Sequence, residues 1–168
     1  MFTSSMQAID LSQITYTGKP RQYRSDCQVG QFKIGASQLI GKSLKMEILG
    51  YRTFEDEIFG YEFQTWLEIL FIDPKNIIST ILFKTESLDN FQNYLLALSG
   101  EGQAIGSVVT VAKMAARSSR ASGNSYYSCE FESEGQKPER FEEILTFING
   151  FDLRQISSSV EDRALPAE

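Results

Sequence analysis

Histidine is absent from all 168 residues, and with it go the commonest general base at neutral pH and the commonest transition-metal ligand. Ser-His-Asp, Cys-His and histidine-ligated zinc centres are therefore excluded. Cysteine is scarce: Cys27 and Cys129 stand far apart with no metal-ligand spacing around either, whereas disulfide-built secreted domains carry more and closer cysteines. Two free thiols in a reducing, cytoplasmic compartment are expected. No run approaches the ~18 apolar residues of a membrane span. Residues 1–18 lack a basic start followed by an apolar stretch, so neither a membrane nor a secretory leader is expected. The phosphate-cradling patterns GxxxxGK[ST] and GxGxxG and the EF-hand loop are missing, so no cofactor is implied and the chain is not expected to be an enzyme.

What is present reads as one globular domain. Hydrophobic residues make up 42% and charged residues 23%, enough apolar material for a single buried core at this length. The formal net charge is -6, which argues against coating nucleic acid by bulk electrostatics. The charge is segregated, however. Up to residue 54, Lys19, Arg21, Arg24, Lys33, Lys42, Lys45 and Arg52 outnumber Asp10, Asp26 and Glu47, and residues 102–128 carry Lys113, Arg117 and Arg120 with no acid. All remaining carboxylates fall in 55–101 and from 129 onward.

Residues 1–30 show little periodicity around Thr17, Gly18, Lys19 and Pro20 and read as an N-terminal arm. The domain is expected over 31–150, followed by a polar, disordered tail at 151–168. Within it, Leu44, Met46 and Ile48 alternate with polar neighbours in a strand over 39–51, with a bulge at Gly50. Phe63, Thr65, Leu67, Ile69 and Phe71 form the core side of a second strand, which places Trp66 on its opposite, outward face. A turn at Asp73, Pro74, Lys75 and Asn76 leads into a third strand over 77–84. Leu88, Phe91, Leu95, Leu96 and Leu98 have helical spacing, and Gly100 follows them. Strands over 108–113 and 125–133 come next, and Pro138 opens a C-terminal helix with Phe141, Ile144, Leu145 and Ile148 on one stripe.

Three strands, a helix and two strands is the connectivity of a five-stranded OB-like barrel, mainly β, with one helix between strands 3 and 4. Over residues 31–134 the chain resembles single-stranded DNA-binding proteins of the OB-fold type, of the phage or cyanobacterial kind. The resemblance rests on element order and loop placement. It implies a binding face on strands two and three, flanked by the loops at 53–61 and 114–124. The second loop is basic, as such a face requires. The first departs from the pattern, because Glu55, Asp56 and Glu57 would sit beside a polyanion. Lys45, Arg52, Lys84, Lys113, Arg117 and Arg120 are the candidate phosphate contacts, and Tyr51, Trp66 and Tyr126 the candidate base platforms.

The expected partner is a single strand of nucleic acid, with a homo-oligomer also compatible. The alternative is a protein-interaction or oligomer-forming accessory module that uses the same aromatics as hot spots. A third reading, magnesium held by carboxylates such as Glu55, Asp56, Glu57 and Asp73, needs ligands converging from several elements.

Overall fold

A computed structural model describes residues 10–153; the first nine residues and the tail at 154–168 lie outside it. The chain runs β1 (Arg21–Asp26), β2 (Gln31–Ile34), β3 (Gln38–Gly41), β4 (Ser43–Asp56), β5 (Gln64–Ile72), β6 (Ile78–Lys84), α1 (Thr85–Gly100), a single 3-10 turn (Ile105–Ser107), β7 (Val108–Ser118), β8 (Ser125–Gly135) and α2 (Pro138–Asn149). The strands form one sheet in the order β3-β2-β1-β6-β5-β4-β7-β8, curled into a half-barrel. Neighbours are antiparallel except β1 and β6, which pair in parallel from Arg21 opposite Ser79 to Arg24 opposite Leu82.

The mainly β expectation agrees with this sheet, and the helix does follow the third of the strands read from periodicity. The five-stranded barrel does not survive: the described residues form eight strands, and α1 falls between β6 and β7. The three additional strands lie within 21–41, where each is only four to six residues long, too short for alternation to rise above background. The arm expected over 1–30 thereby contributes β1, whose Tyr23 is buried in the main core. The bulge expected at Gly50 is present as a register shift between Ile48 and Gly50.

Both faces of the central strands are covered. On the concave face, Leu88, Phe91, Tyr94 and Leu98 of α1 pack on Leu67, Ile69, Phe71, Ile81, Phe83, Tyr23 and Phe32, each large side chain adding roughly 1.5–3 kcal/mol of burial. On the convex face, α2 lays Ile144 over Ile72 and Ile78, with Phe147 and Ile148 beside it. A separate cluster of Ile58, Trp66 and Leu82 lies under the segment linking β4 to β5. Strand β6 is consequently buried along nearly its whole length, which is why its sequence is a continuous apolar and threonine run without alternation.

The β5–β6 turn is fixed by Asp73. Its Oδ1 accepts the backbone N–H groups of Lys75 at 2.8 Å and Ile77 at 2.9 Å, while Oδ2 accepts the Tyr23 hydroxyl at 2.7 Å and Arg21 at 3.3 Å. Asp73 thus ties β1 to the hairpin. Among the described residues no helix is long and apolar enough to cross a membrane.

Candidate binding groove at the α1 N-terminus

The sheet curls far enough for the β1–β2 turn to touch β8, the strand at the other end of the order. The Tyr127 N–H donates to the Cys27 carbonyl at 2.9 Å. Gly30, at φ +73°, lies so close under the Tyr127 ring that a Cβ would sit 2.7 Å from it. Only glycine supplies both that backbone conformation and that clearance.

Beside this contact opens a groove of about 460 Å³, within the range of small-molecule sites. β1 and its turn supply Arg24, Asp26 and Cys27; the β4–β5 segment supplies Phe59 and Tyr61; Trp66 and Leu82 lie at the back; Lys84, Thr85, Glu86 and Ser87 come from the junction of β6 with α1; and Tyr126 and Tyr127 come from β8. Phe59 and Tyr61 meet Trp66 edge to face, at 6.2 and 5.9 Å between centroids. The Trp66 indole N–H donates to the Asp56 carbonyl at 3.1 Å, which locks this aromatic wall.

Two cations face the wall. The Arg24 guanidinium stands 4.7 Å over the Phe59 ring and the Lys84 ammonium 4.1 Å over the Tyr61 ring, within cation–π range. Among the described residues neither is ion-paired with a carboxylate. The groove's own carboxylates are engaged: Asp26 accepts Lys33 at 2.6 Å, and Glu86 accepts the Tyr126 hydroxyl at 2.8 Å and Arg117 Nε at 3.0 Å. The Tyr126 hydroxyl, against the opposing effect of burial and with help from Arg117, holds the Glu86 carboxyl below its usual range.

The first turn of α1 opens into the same space. Lys84 at its N-cap makes no side-chain capping bond, and Thr85, Glu86 and Ser87 line the groove, so the positive end of the helix dipole lies beside it. Phe59 and Thr85 hold φ of 58° and 51°, uncommon for residues with a Cβ, and such strained positions cluster at functional sites.

Of the nine residues singled out from sequence, the groove gathers Lys84, Trp66 and Tyr126. The others are dispersed. Lys45 pairs with Glu134 at 3.1 Å, Lys113 pairs with Glu132, and Arg117 pairs with Glu86 and Glu130. Arg52 pairs with the buried Glu68 at 3.0 Å and stacks over Phe54. Tyr51 packs its ring edge to face with Phe91, and Arg120 is exposed in the β7–β8 turn. The basic loop looked free of acid only in sequence: β7 is paired residue for residue with β8, whose Glu130, Glu132 and Glu134 face Lys113, Val111 and Val109 in register. Trp66 does lie opposite the α1-facing core, as alternation requires, but it is buried at 3% exposure because the convex face is covered too. Arg24 stands in sequence only as one cation of the expected arm, and Cys27 in the same segment carries no signal of a site by itself. The faint alternation around Tyr23 was the one signal that could have found them.

No family model, curated protein or solved structure matches the chain. The fold and groove define a curled-sheet half-barrel with a cationic and aromatic cleft at the start of its inner helix.

Proposed function

We propose that the protein is a binding protein whose groove holds a nucleotide unit, either free or as part of a single strand of nucleic acid. The observation that carries this is the convergence, in one cleft, of the uncapped α1 N-terminus with Lys84 and Arg24, neither paired with a carboxylate among the described residues. A helix N-terminus flanked by cations suits a phosphate. The Phe59 and Tyr61 rings offer an aromatic wall for a base. This reading keeps the ligand class expected from sequence and moves its site from the β7–β8 loop, where Lys113 and Arg117 are neutralised, to the cleft.

The test is fluorescence of Trp66, the chain's one tryptophan, titrated with a nucleoside, its monophosphate, a short single-stranded oligonucleotide and a duplex. The monophosphate and the oligonucleotide are expected to change the emission, the nucleoside far less. Lys84→Ala and Arg24→Ala are each expected to weaken binding by about tenfold, the cost of one charge-assisted contact. Affinity for the oligonucleotide should fall with salt. Unchanged binding in both variants, or silence with every ligand, rejects the proposal.

A further inference from the structure

Cys27 lies in the groove, half-buried, at the point where the β1–β2 turn meets β8. Two residues beyond Tyr127 on that strand, and therefore on the same face, is Cys129, fully buried against the main core. The Ser87 hydroxyl, which accepts the Cys129 N–H at 2.9 Å, lines the groove beside Cys27, and the two thiols stand close enough for each to displace the other's ionisation. The Cys129 sulfur also lies 3.8 Å from that of Met114. Although 102 positions separate them in sequence (129 − 27), the curl of the sheet makes them a pair, one open to the groove and one behind it.

We propose that Cys27 and Cys129 form a reversible dithiol–disulfide couple in which Cys27 is the reacting thiol and Cys129 the resolving one. This stands whether or not the groove holds a nucleotide. The surroundings favour Cys27 as the thiolate: the Cys129 thiol, the hydroxyls of Ser87 and Ser25 and the Lys84 charge act against burial to bring it down from its ordinary value to about 7. Cys129 is pushed the other way, by the neighbouring Cys27 and by burial. The remaining charged groups around Cys27, namely Asp26, Glu86, Lys33 and Arg24, are held by the contacts described above.

With a hydroperoxide as oxidant, the Cys27 thiolate attacks one peroxide oxygen. An S–O bond forms, the O–O bond breaks, and the departing alkoxide takes up a proton to leave as an alcohol or water. Cys27 is then a neutral sulfenic acid, and the negative neighbour that disfavoured ionisation of Cys129 is gone. The Cys129 sulfur attacks the Cys27 sulfur, the S–S bond forms, the S–O bond breaks, and hydroxide departs with the Cys129 proton as water. Two electrons pass from the thiols to the peroxide, and a dithiol reductant reverses the change. The product straps the β1–β2 turn to β8 at the inner side of the groove.

The full chain is treated with hydrogen peroxide, its free thiols are counted and its intact mass is measured. Both thiols are expected to disappear in a monomer lighter by two hydrogens, restored by dithiothreitol. Cys27→Ser should leave Cys129 reduced under the same treatment. Cys129→Ser should stop at a sulfenic acid on Cys27 that dimedone traps. Because a change at buried Cys129 can disturb folding, alkylation of the unmodified protein by iodoacetamide supplies a second reading, with Cys27 reacting first and its rate rising with a midpoint near pH 7. Retention of both thiols under peroxide, or an inter-chain disulfide in place of the internal one, or faster alkylation of Cys129, overturns the proposal.

Discussion

Gly30 is the residue on which the approach of the two ends of the sheet depends. Its φ of +73° is left-handed, and the Tyr127 ring occupies the space a side chain would take. Gly30→Ala therefore meets a backbone penalty and a steric one, and a loss of about 1–3 kcal/mol is expected in urea denaturation. Truncating the ring in a Gly30→Ala/Tyr127→Ala double variant removes the clash but not the backbone strain. The two changes should be less damaging together than their separate costs predict. Strict additivity would mean that turn and ring do not touch in solution. Trp66 teaches the complementary lesson at this scale. Its parity along β5 is legible in the sequence, but parity says only which face a side chain is on. Whether that face is wet depends on Phe59 and Tyr61, which arrive from a segment with no periodicity at all.

At the scale of elements, what the sequence showed were the pieces with enough length to repeat. The part of β4 up to Tyr51, the β5–β6 hairpin around Asp73, α1 over 16 residues and α2 over 12 all announce themselves by spacing, caps or turn chemistry, whereas 53–56, expected as loop, continue β4 to Asp56. Strands β1 to β3 did not, being short and rich in polar residues. The groove was illegible for the same reason, since Arg24 and Cys27 belong to β1 and its turn. The pairing of β7 with β8 was equally hidden, so Lys113 and Arg117 looked free when β8 supplies a carboxylate to each. β1 lies between β2 and β6 and is anchored by Tyr23 in the core and by Asp73 beneath its hydroxyl. Its amides are therefore expected to exchange with solvent as slowly as those of β6, at or near the global unfolding limit. Rapid exchange over 21–26 alongside protection of β6 would return this segment to the status of an arm.

The whole molecule carries a pH signature that follows from its composition. With no histidine, no side chain at its ordinary pKa changes charge between about pH 5 and 7. The groups with displaced values then set the ends of the profile. Asp10 is held low by the Ser12 hydroxyl and N–H, Asp26 by Lys33 and the N–H groups of Val29 and Gln28 despite burial, and Glu86 by Tyr126 and Arg117. Each carboxyl has a folded value below its unfolded one. Its contribution is complete above the unfolded value of about 4 and is lost as pH falls through the lower folded value. On the alkaline side Cys27 is also depressed, to about 7, so the folded chain gives up that proton before the unfolded chain does. Stability gains as pH rises from there toward the unfolded thiol value of about 8.5. Above it the sign reverses, because Cys129 is held protonated in the fold and ionises only in the unfolded chain. Urea midpoints measured under reducing conditions are thus expected to be level from about pH 5 to 6.5, to rise to a maximum near pH 8, and to decline on either side of that range. In Cys27→Ser the rise toward pH 8 should vanish while the acid limb stays as it was. A variant that keeps the alkaline rise would place its source outside the thiol pair.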